Sequence, residues 1–186
     1  MNVLNFTPFS ILKTGRLLLR EPSLDDRNET YFMRSDERVN KYVDRPRPAN
    51  VADAEQFIQK LKDGISKNES IAWVISLKND PKLIGSICLW NISEENSTAE
   101  IGFELHPDHQ GKGIMQEALL PVLHYGFNSM QLKIIEGWAH ERNTASIKLM
   151  EKNNFVRDHE TESKFAGEDY FKNMQIFALS RSSWNK

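Results

Sequence analysis

Residues 106–115 read His106-Pro107-Asp108-His109-Gln110-Gly111-Lys112-Gly113-Ile114-Met115, between an apolar, strand-like run at 99–105 and an apolar helical pattern at 114–127. A strand, a glycine-containing turn and a helix N-terminus therefore follow one another mid-chain, and any fold must set them in series. A helix N-terminus carries unpaired N–H groups and the positive end of the helix dipole. Glycines at 111 and 113 let an anion approach the backbone closely. The stretch reads as a cradle for a diphosphate. It is not a P-loop, which needs Gly-Lys-Ser/Thr after four intervening residues, nor a dinucleotide fingerprint, whose third glycine would stand at Gln116.

The flanking sequence places the cradle within a mixed sheet. Residues 16–20 form a first strand, closed by Pro22, and Ser23 or Asp25 caps a helix over 24–36. A loop follows at 40–48, and Asn50 with Asp53 caps a second helix at 51–67, with Phe57, Ile58 and Leu61 along one stripe. Strands at 71–77, 83–92 and 99–105, joined by a turn at 78–82 and a polar turn at 93–97, make a meander. Pro121 removes the backbone bond to Glu117 inside the helix at 114–127 and should kink it. A strand at 132–139, a helix at 143–152 and two strands at 155–164 and 170–180, joined around 166–169, complete the chain. The expectation is an α/β fold of about seven strands and about four helices, mostly antiparallel, in which a strand–helix–strand unit makes one neighbouring pair parallel. With neither repeats nor linkers, residues 1–186 read as one domain with its core at about 14–181.

Composition narrows the function classes. Hydrophobic residues make up 39% and charged residues 27%, which is globular rather than disordered. A formal charge of −2 gives no reason to expect nucleic acid. No apolar run is long enough to span a membrane, and the first twelve residues lack the pattern of a signal peptide. Cys88 is the single cysteine, flanked by Ile87 and Leu89, and reads as a buried strand thiol. The five histidines show no zinc-ligand spacing, so no metal is expected, and His106 is at most an auxiliary base. A cytoplasmic location follows as the expectation.

The chain is similar to the GCN5-related N-acetyltransferase (GNAT) superfamily. Gln110-Gly111-Lys112-Gly113-Ile114-Met115 fits that family's Gln/Arg-x-x-Gly-x-Gly/Ala diphosphate pattern, with Met115 departing at the last position. A second pattern runs Asn143-Thr144-Ala145-Ser146 to Met150, Lys152, Asn154 and Phe155, in which Asn154 replaces the family's glycine. Asparagine tolerates the left-handed conformation that a helix C-terminus often takes. The opening Arg16-Leu17-Leu18-Leu19-Arg20 and Ala99-Glu100-Ile101-Gly102 resemble the ribosomal-protein N-terminal acetyltransferase branch.

The resemblance implies a splayed parallel strand pair and acetyl-coenzyme A as acetyl donor. Its diphosphate would lie on the N–H groups of Gly111, Lys112, Gly113, Ile114 and Met115, beside Gln110. The pantetheine arm would run along Phe103, Glu104 and Leu105. Asn143 would bind a pantetheine amide and Ser146 would donate to the departing thiolate, with Lys152 near the coenzyme. Met150 stands where many relatives carry an acidic tyrosine, and Glu162 and Glu168 lie where others draw a base. The acceptor side is expected at Tyr42, Arg45, Trp90 and the turn at 166–170.

Acetyl transfer to an amine needs a base, because only the neutral amine attacks. Strand alternation puts Glu100, Gly102 and Glu104 on one face, with Ala99, Ile101, Phe103 and Leu105 on the other. Gly102 leaves room for an amine between two carboxylates that could raise one another's pKa, so Glu100 is the first candidate base and Glu104 the second. The sequence is thus read as an acetyl-coenzyme A-dependent N-acetyltransferase of primary amines, a protein N-terminal α-amine among them. A small-amine acetyltransferase and a non-catalytic coenzyme A-binding module are the alternatives, and the assembly is expected to be a monomer or homodimer.

Overall fold

A computed structural model of the chain describes residues 4–165 and 167–184. Its elements, in chain order, are β1 (Leu12–Lys13), β2 (Leu17–Arg20), α1 (Arg27–Ser35), α2 (Val51–Ser66), β3 (Ile71–Leu77), β4 (Asp80–Ser93), β5 (Thr98–Leu105), α3 (Ile114–His124), β6 (Ile134–His140), α4 (Thr144–Lys152), β7 (Val156–Arg157), α5 (His159–Lys164), β8 (Met174–Ser180) and α6 (Arg181–Trp184). The strands form one eight-stranded sheet in the order β1-β2-β3-β4-β5-β6-β8-β7. Every neighbouring pair is antiparallel except β5 with β6.

β3 explains the layering. Its Ile-Ala-Trp-Val-Ile-Ser run is buried at every position, as a strand covered on both faces must be. Ile71, Trp73 and Ile75 share a core with Leu119, Val122 and Leu123 of α3, while Val74 packs with Met33 of α1 and Leu83. Trp73 meets Tyr125 edge-on, and its indole N–H donates to the Ser10 carbonyl at 2.7 Å. In α2 the buried stripe is Ala54, Ile58 and Ile65, and Phe57 lies half-buried under the Arg34 guanidinium, 3.7 Å from its ring centre. Asp26 is buried where the first strand turns into α1. It takes two hydrogen bonds from Arg20 (2.6 and 2.9 Å) and one from the Ser23 N–H (2.9 Å), closing a capping box.

Among the described residues there are eight strands and six α-helices, in keeping with the expected mostly antiparallel sheet of about seven strands and about four helices; the additions are very short elements such as β1, β7 and α6. One segment is corrected. Residues 155–164 are not a strand: β7 is two residues long and α5 follows, because Asp158 accepts from the Thr161 N–H (3.0 Å) and hydroxyl (2.8 Å) and so starts a helix. Downstream of Pro121, α3 widens into a π-turn at Tyr125–Ser129.

Candidate active site

The glycine turn leaves β5 through a single 3₁₀ turn, Pro107–His109, capped by His106, whose Nδ1 accepts from the Asp108 N–H at 3.2 Å. The His106 ring stacks on Phe32 with centroids 4.6 Å apart. Gly111 and Gly113 take left-handed φ values of 71° and 72°, and a Cβ on Gly111 would meet nothing within 4 Å. Backbone conformation rather than crowding therefore calls for glycine, and the space over the turn stays open. No side chain caps α3 at Gly113, so its first N–H groups face that space. Left-handed glycines running into an uncapped helix make a nest for an anion.

Arg16 borders this nest, a role its place on a short apolar strand did not signal. Its Nη1 donates to the Lys112 carbonyl at 3.1 Å, and its Nε pairs with Glu117 of α3 at 2.6 Å. Its other terminal nitrogen lies 3.7 Å from where a Gly113 Cβ would be. Glu117 also accepts from the Thr14 hydroxyl (2.5 Å) and the Arg16 N–H (2.8 Å).

β5 and β6 pair in parallel from Thr98↔Ile134 to Ile101↔Gly137. Both strands then run on, to Leu105 and His140, without pairing to one another. Between them opens a cleft of about 1390 Å³ that reaches from the glycine turn to α4 and to the segment after β7. At its upper end Gln110 Nε2 closes on the Leu105 carbonyl at 3.0 Å.

Alternation along β5 is as expected near the parallel pair, where Ala99 and Ile101 are buried and Glu100, Gly102 and Glu104 line the cleft. Phe103 and Leu105 border it too, where the strand loses its neighbour. The two glutamates differ sharply. Glu104 accepts from Arg45 at 2.7 Å and from the Ser86 hydroxyl at 3.3 Å. Glu100 receives no hydrogen bond from the described residues, and burial, reinforced by the charge of Glu136, pushes its pKa up to about 7. The carboxylate acting on Glu100 is thus Glu136 and not Glu104. Same-face residues four apart on one strand are separated by roughly 13 Å, whereas a matched residue on the next strand is about 4.8 Å away. The room at Gly102 is bounded by Cys88 Sγ and Trp90 Nε1, which a Cβ there would approach to 3.2 and 3.6 Å. Burial pushes the Cys88 thiol up to about 12, so it stays protonated and unreactive.

The acceptor-side residues lie around the same cleft. Trp90 is 46% exposed at its rim, opposite Glu100 in register. Tyr42 packs on His140 with centroids 5.6 Å apart. Arg45 is committed inward: besides Glu104 it donates to Asn40 Oδ1 at 2.7 Å, and the buried Asn40 holds the Met33 and Asp36 carbonyls at 2.8 Å each. Of the turn at 166–170, Ala166 lies outside the described residues. Trp138, Phe165 and Phe171 cluster on this side with centroids 4.7 to 5.1 Å apart. That cluster escaped the sequence reading, which took 155–164 for a strand.

At the second pattern, Asn143 caps α4, its Oδ1 accepting from the Ser146 N–H at 3.3 Å. Its Nδ2 and the Ser146 hydroxyl make no bond to the described residues, and both side chains border the cleft. Met150 is buried against Gly137, where a Cβ would overlap its sulfur. Lys112 and Lys152 are exposed and do not line the cleft. Gln116, read only as a missing glycine, forms a reciprocal amide pair with buried Asn153 (2.7 and 3.0 Å) that joins α3 to the end of α4.

Residues 16–156 match the family model described as acetyltransferase (GNAT) domain. The chain is 34% identical over 154 residues to the uncharacterized N-acetyltransferase p20 of Bacillus licheniformis, covering 80% of this chain and 86% of that protein. It is 28% identical over 109 residues to the ribosomal-protein-serine acetyltransferase of Escherichia coli, covering 54% and 61%. Among solved structures, RimJ of Mycobacterium smegmatis in complex with CoA-disulfide superposes with a TM-score of 0.79 at 16% identity, covering 97% of this chain and 91% of that one.

Proposed function

The chain belongs to the GNAT acetyltransferases, and on that premise we propose that it moves the acetyl group of acetyl-coenzyme A to a primary amine, with Glu100 as the base. One observation carries the reading. Glu100 is a carboxyl group free of donors, at the point where β5 and β6 part, with its pKa pushed up to about 7.

The residues present fit the coenzyme. The open nest of Gly111 to Met115 would hold its diphosphate, with Arg16 adding positive charge beside it. Asn143 keeps its Nδ2 hydrogens for an amide carbonyl while its oxygen caps α4. The complex of the M. smegmatis structural neighbour with CoA-disulfide supports a coenzyme A ligand here. Once bound, the coenzyme supplies an acetyl group as a thioester, whose sulfur departs as a thiolate.

Everything else falls to the chain. An arriving ammonium must lose a proton before its nitrogen can attack. Against a base near 7, a lysine amine near 10.4 costs about 4.6 kcal/mol to neutralise and an α-amine near 7.7–8.0 about 1 kcal/mol. Glu100 takes that proton and passes it to solvent. After attack the nitrogen sheds its second proton to Glu100, already emptied to solvent, and the Ser146 hydroxyl would donate its proton to the departing thiolate and take a replacement from solvent. The arithmetic favours α-amines, and the likeness to a ribosomal-protein-serine acetyltransferase supports a protein N-terminus as acceptor.

The test is Glu100→Gln, assayed against peptide N-termini and polyamines, with acetyl-coenzyme A binding followed by calorimetry. At pH 7 kcat/KM falls about 10²- to 10⁴-fold while coenzyme affinity holds. An unchanged rate removes Glu100 as base, and a folded protein that binds no acetyl-coenzyme A overturns the reading altogether.

A further inference from the structure

β6 turns Glu136, Trp138 and His140 toward the cleft and buries Ile135, Gly137 and Ala139. Glu136 stands at matched parallel register with Glu100, one pair before the strands part. Neighbouring strands lie about 4.8 Å apart, so same-face side chains at matched register confront one another. Glu136 is held in place: Trp138 Nε1 donates to its Oε2 at 3.3 Å, and Trp138 is wedged against Phe165 and Phe171 with centroids 5.1 Å away. No described residue holds the Glu100 carboxylate in that way.

Building on Glu100 as the base, we propose that Glu136 is its positioning residue: a fixed carboxylate neighbour, aimed by Trp138, that makes Glu100 the member of the pair that takes the amine's proton. The hydrogen bonds support this division of labour: Glu136 accepts from Trp138 Nε1, whereas Glu100 has no described donor and is free to meet the amine. Transfer from an ammonium to a carboxylate turns a charged pair into two neutral groups, so no new charge arises in a half-dry cleft, where it would be costly.

Other titratable and polar groups border the same cleft. β4 presents the Cys88 thiol and Trp90, and β5 itself carries Glu104, already neutralised by Arg45. His140 lies further along β6, Lys41 and Asp44 border the cleft from the loop after α1, and Lys164 and Asp169 border it from the segment after β7. Among them, Glu136 is the group whose charge raises the Glu100 pKa.

The experiment is a carbon-13 NMR titration of the glutamate carboxyls in the free wild-type protein and in Glu136→Gln, Glu136→Asp and Trp138→Phe. Removing the charge lowers the Glu100 midpoint by about one pH unit. Glu136→Asp leaves it near the wild-type value, and Trp138→Phe lowers it by less than Glu136→Gln. In turnover, the acid limb of kcat/KM moves down in step, and the plateau falls about threefold as the base weakens. A purely structural role would lower Tm and the plateau and leave the midpoint in place. An unmoved Glu100 midpoint in Glu136→Gln overturns the proposal. Should that variant not fold, an unmoved midpoint in Trp138→Phe does so. The titration needs neither coenzyme nor acceptor, so it judges the pair separately from the acetyl-transfer reading, whose failure would show as wild-type protein without turnover.

Discussion

Glu100 and Glu104 sit four residues apart on one strand face and meet opposite fates, one free of donors and near neutrality, the other locked to Arg45 and Ser86. The stability of the protein should carry the mark of that difference. Glu100 has a folded pKa of about 7 against an ordinary 4.5, so in the intervening window the folded state binds more protons than the unfolded one. Its burden on stability is absent below the lower value, grows as pH rises and is complete above the upper one. Denaturant titration of Glu100→Gln should show the variant gaining on wild type between pH 4.5 and 8, by an order of about 3 kcal/mol at the alkaline end. A constant difference across that range would remove the shifted pKa. Period-two alternation made the face of Glu100 legible in the sequence. Its charge partner was not legible, because Glu136 arrives only through strand pairing across a helical crossover, which no local pattern records.

At the level of elements, legibility followed backbone chemistry. The glycines at 111 and 113 read as allowing close approach to the backbone, and both take left-handed φ values that favour glycine. Asn154, standing in for a glycine, takes φ 65°, and the N–H groups of Asn154 and Phe155 return to the carbonyls of Glu151 and Met150 at 3.0 and 3.1 Å, a Schellman ending to α4. The segment after Phe155 was misread because its helix is six residues long and polar, with no apolar period to reveal it; the cap at Asp158 was its one signal. The glycine turn yields the prediction that belongs to this scale. Gly113→Glu places a side chain at a left-handed position and a carboxylate in the anion nest. Calorimetry should show acetyl-coenzyme A binding weakened at least about 100-fold, with far-ultraviolet circular dichroism unchanged. Undiminished affinity would mean that the diphosphate lies elsewhere.

Across the whole molecule, α3 is tied near its N-terminus by two adjacent side chains that reach in different directions. Gln116 bonds to Asn153 behind α4, and Glu117 bonds to Thr14 and Arg16 at the start of the sheet. Those partners are separated by 37 and by 101 to 103 residues, so this arrangement belongs to the tertiary fold and was not legible in the sequence. Glu117→Ala strands the Thr14 hydroxyl and the Arg16 N–H and frees Arg16 from its place by the turn. Chemical denaturation should show a loss of about 1–3 kcal/mol, together with weaker acetyl-coenzyme A binding. Full stability with weakened binding, or the reverse, would separate the two roles assigned to the latch.

The parting of β5 and β6 also bears on how the protein behaves in a tube. From Gly102 to Leu105 one side of β5 has no strand beside it, which leaves a sheet edge in the middle of a sheet rather than at its margin. Such an edge is a template for any extended chain that reaches it, a neighbouring molecule included. Coenzyme seated in the gap would cover that template, so preparations purified with acetyl-coenzyme A present are expected to clump less on concentration than those without it.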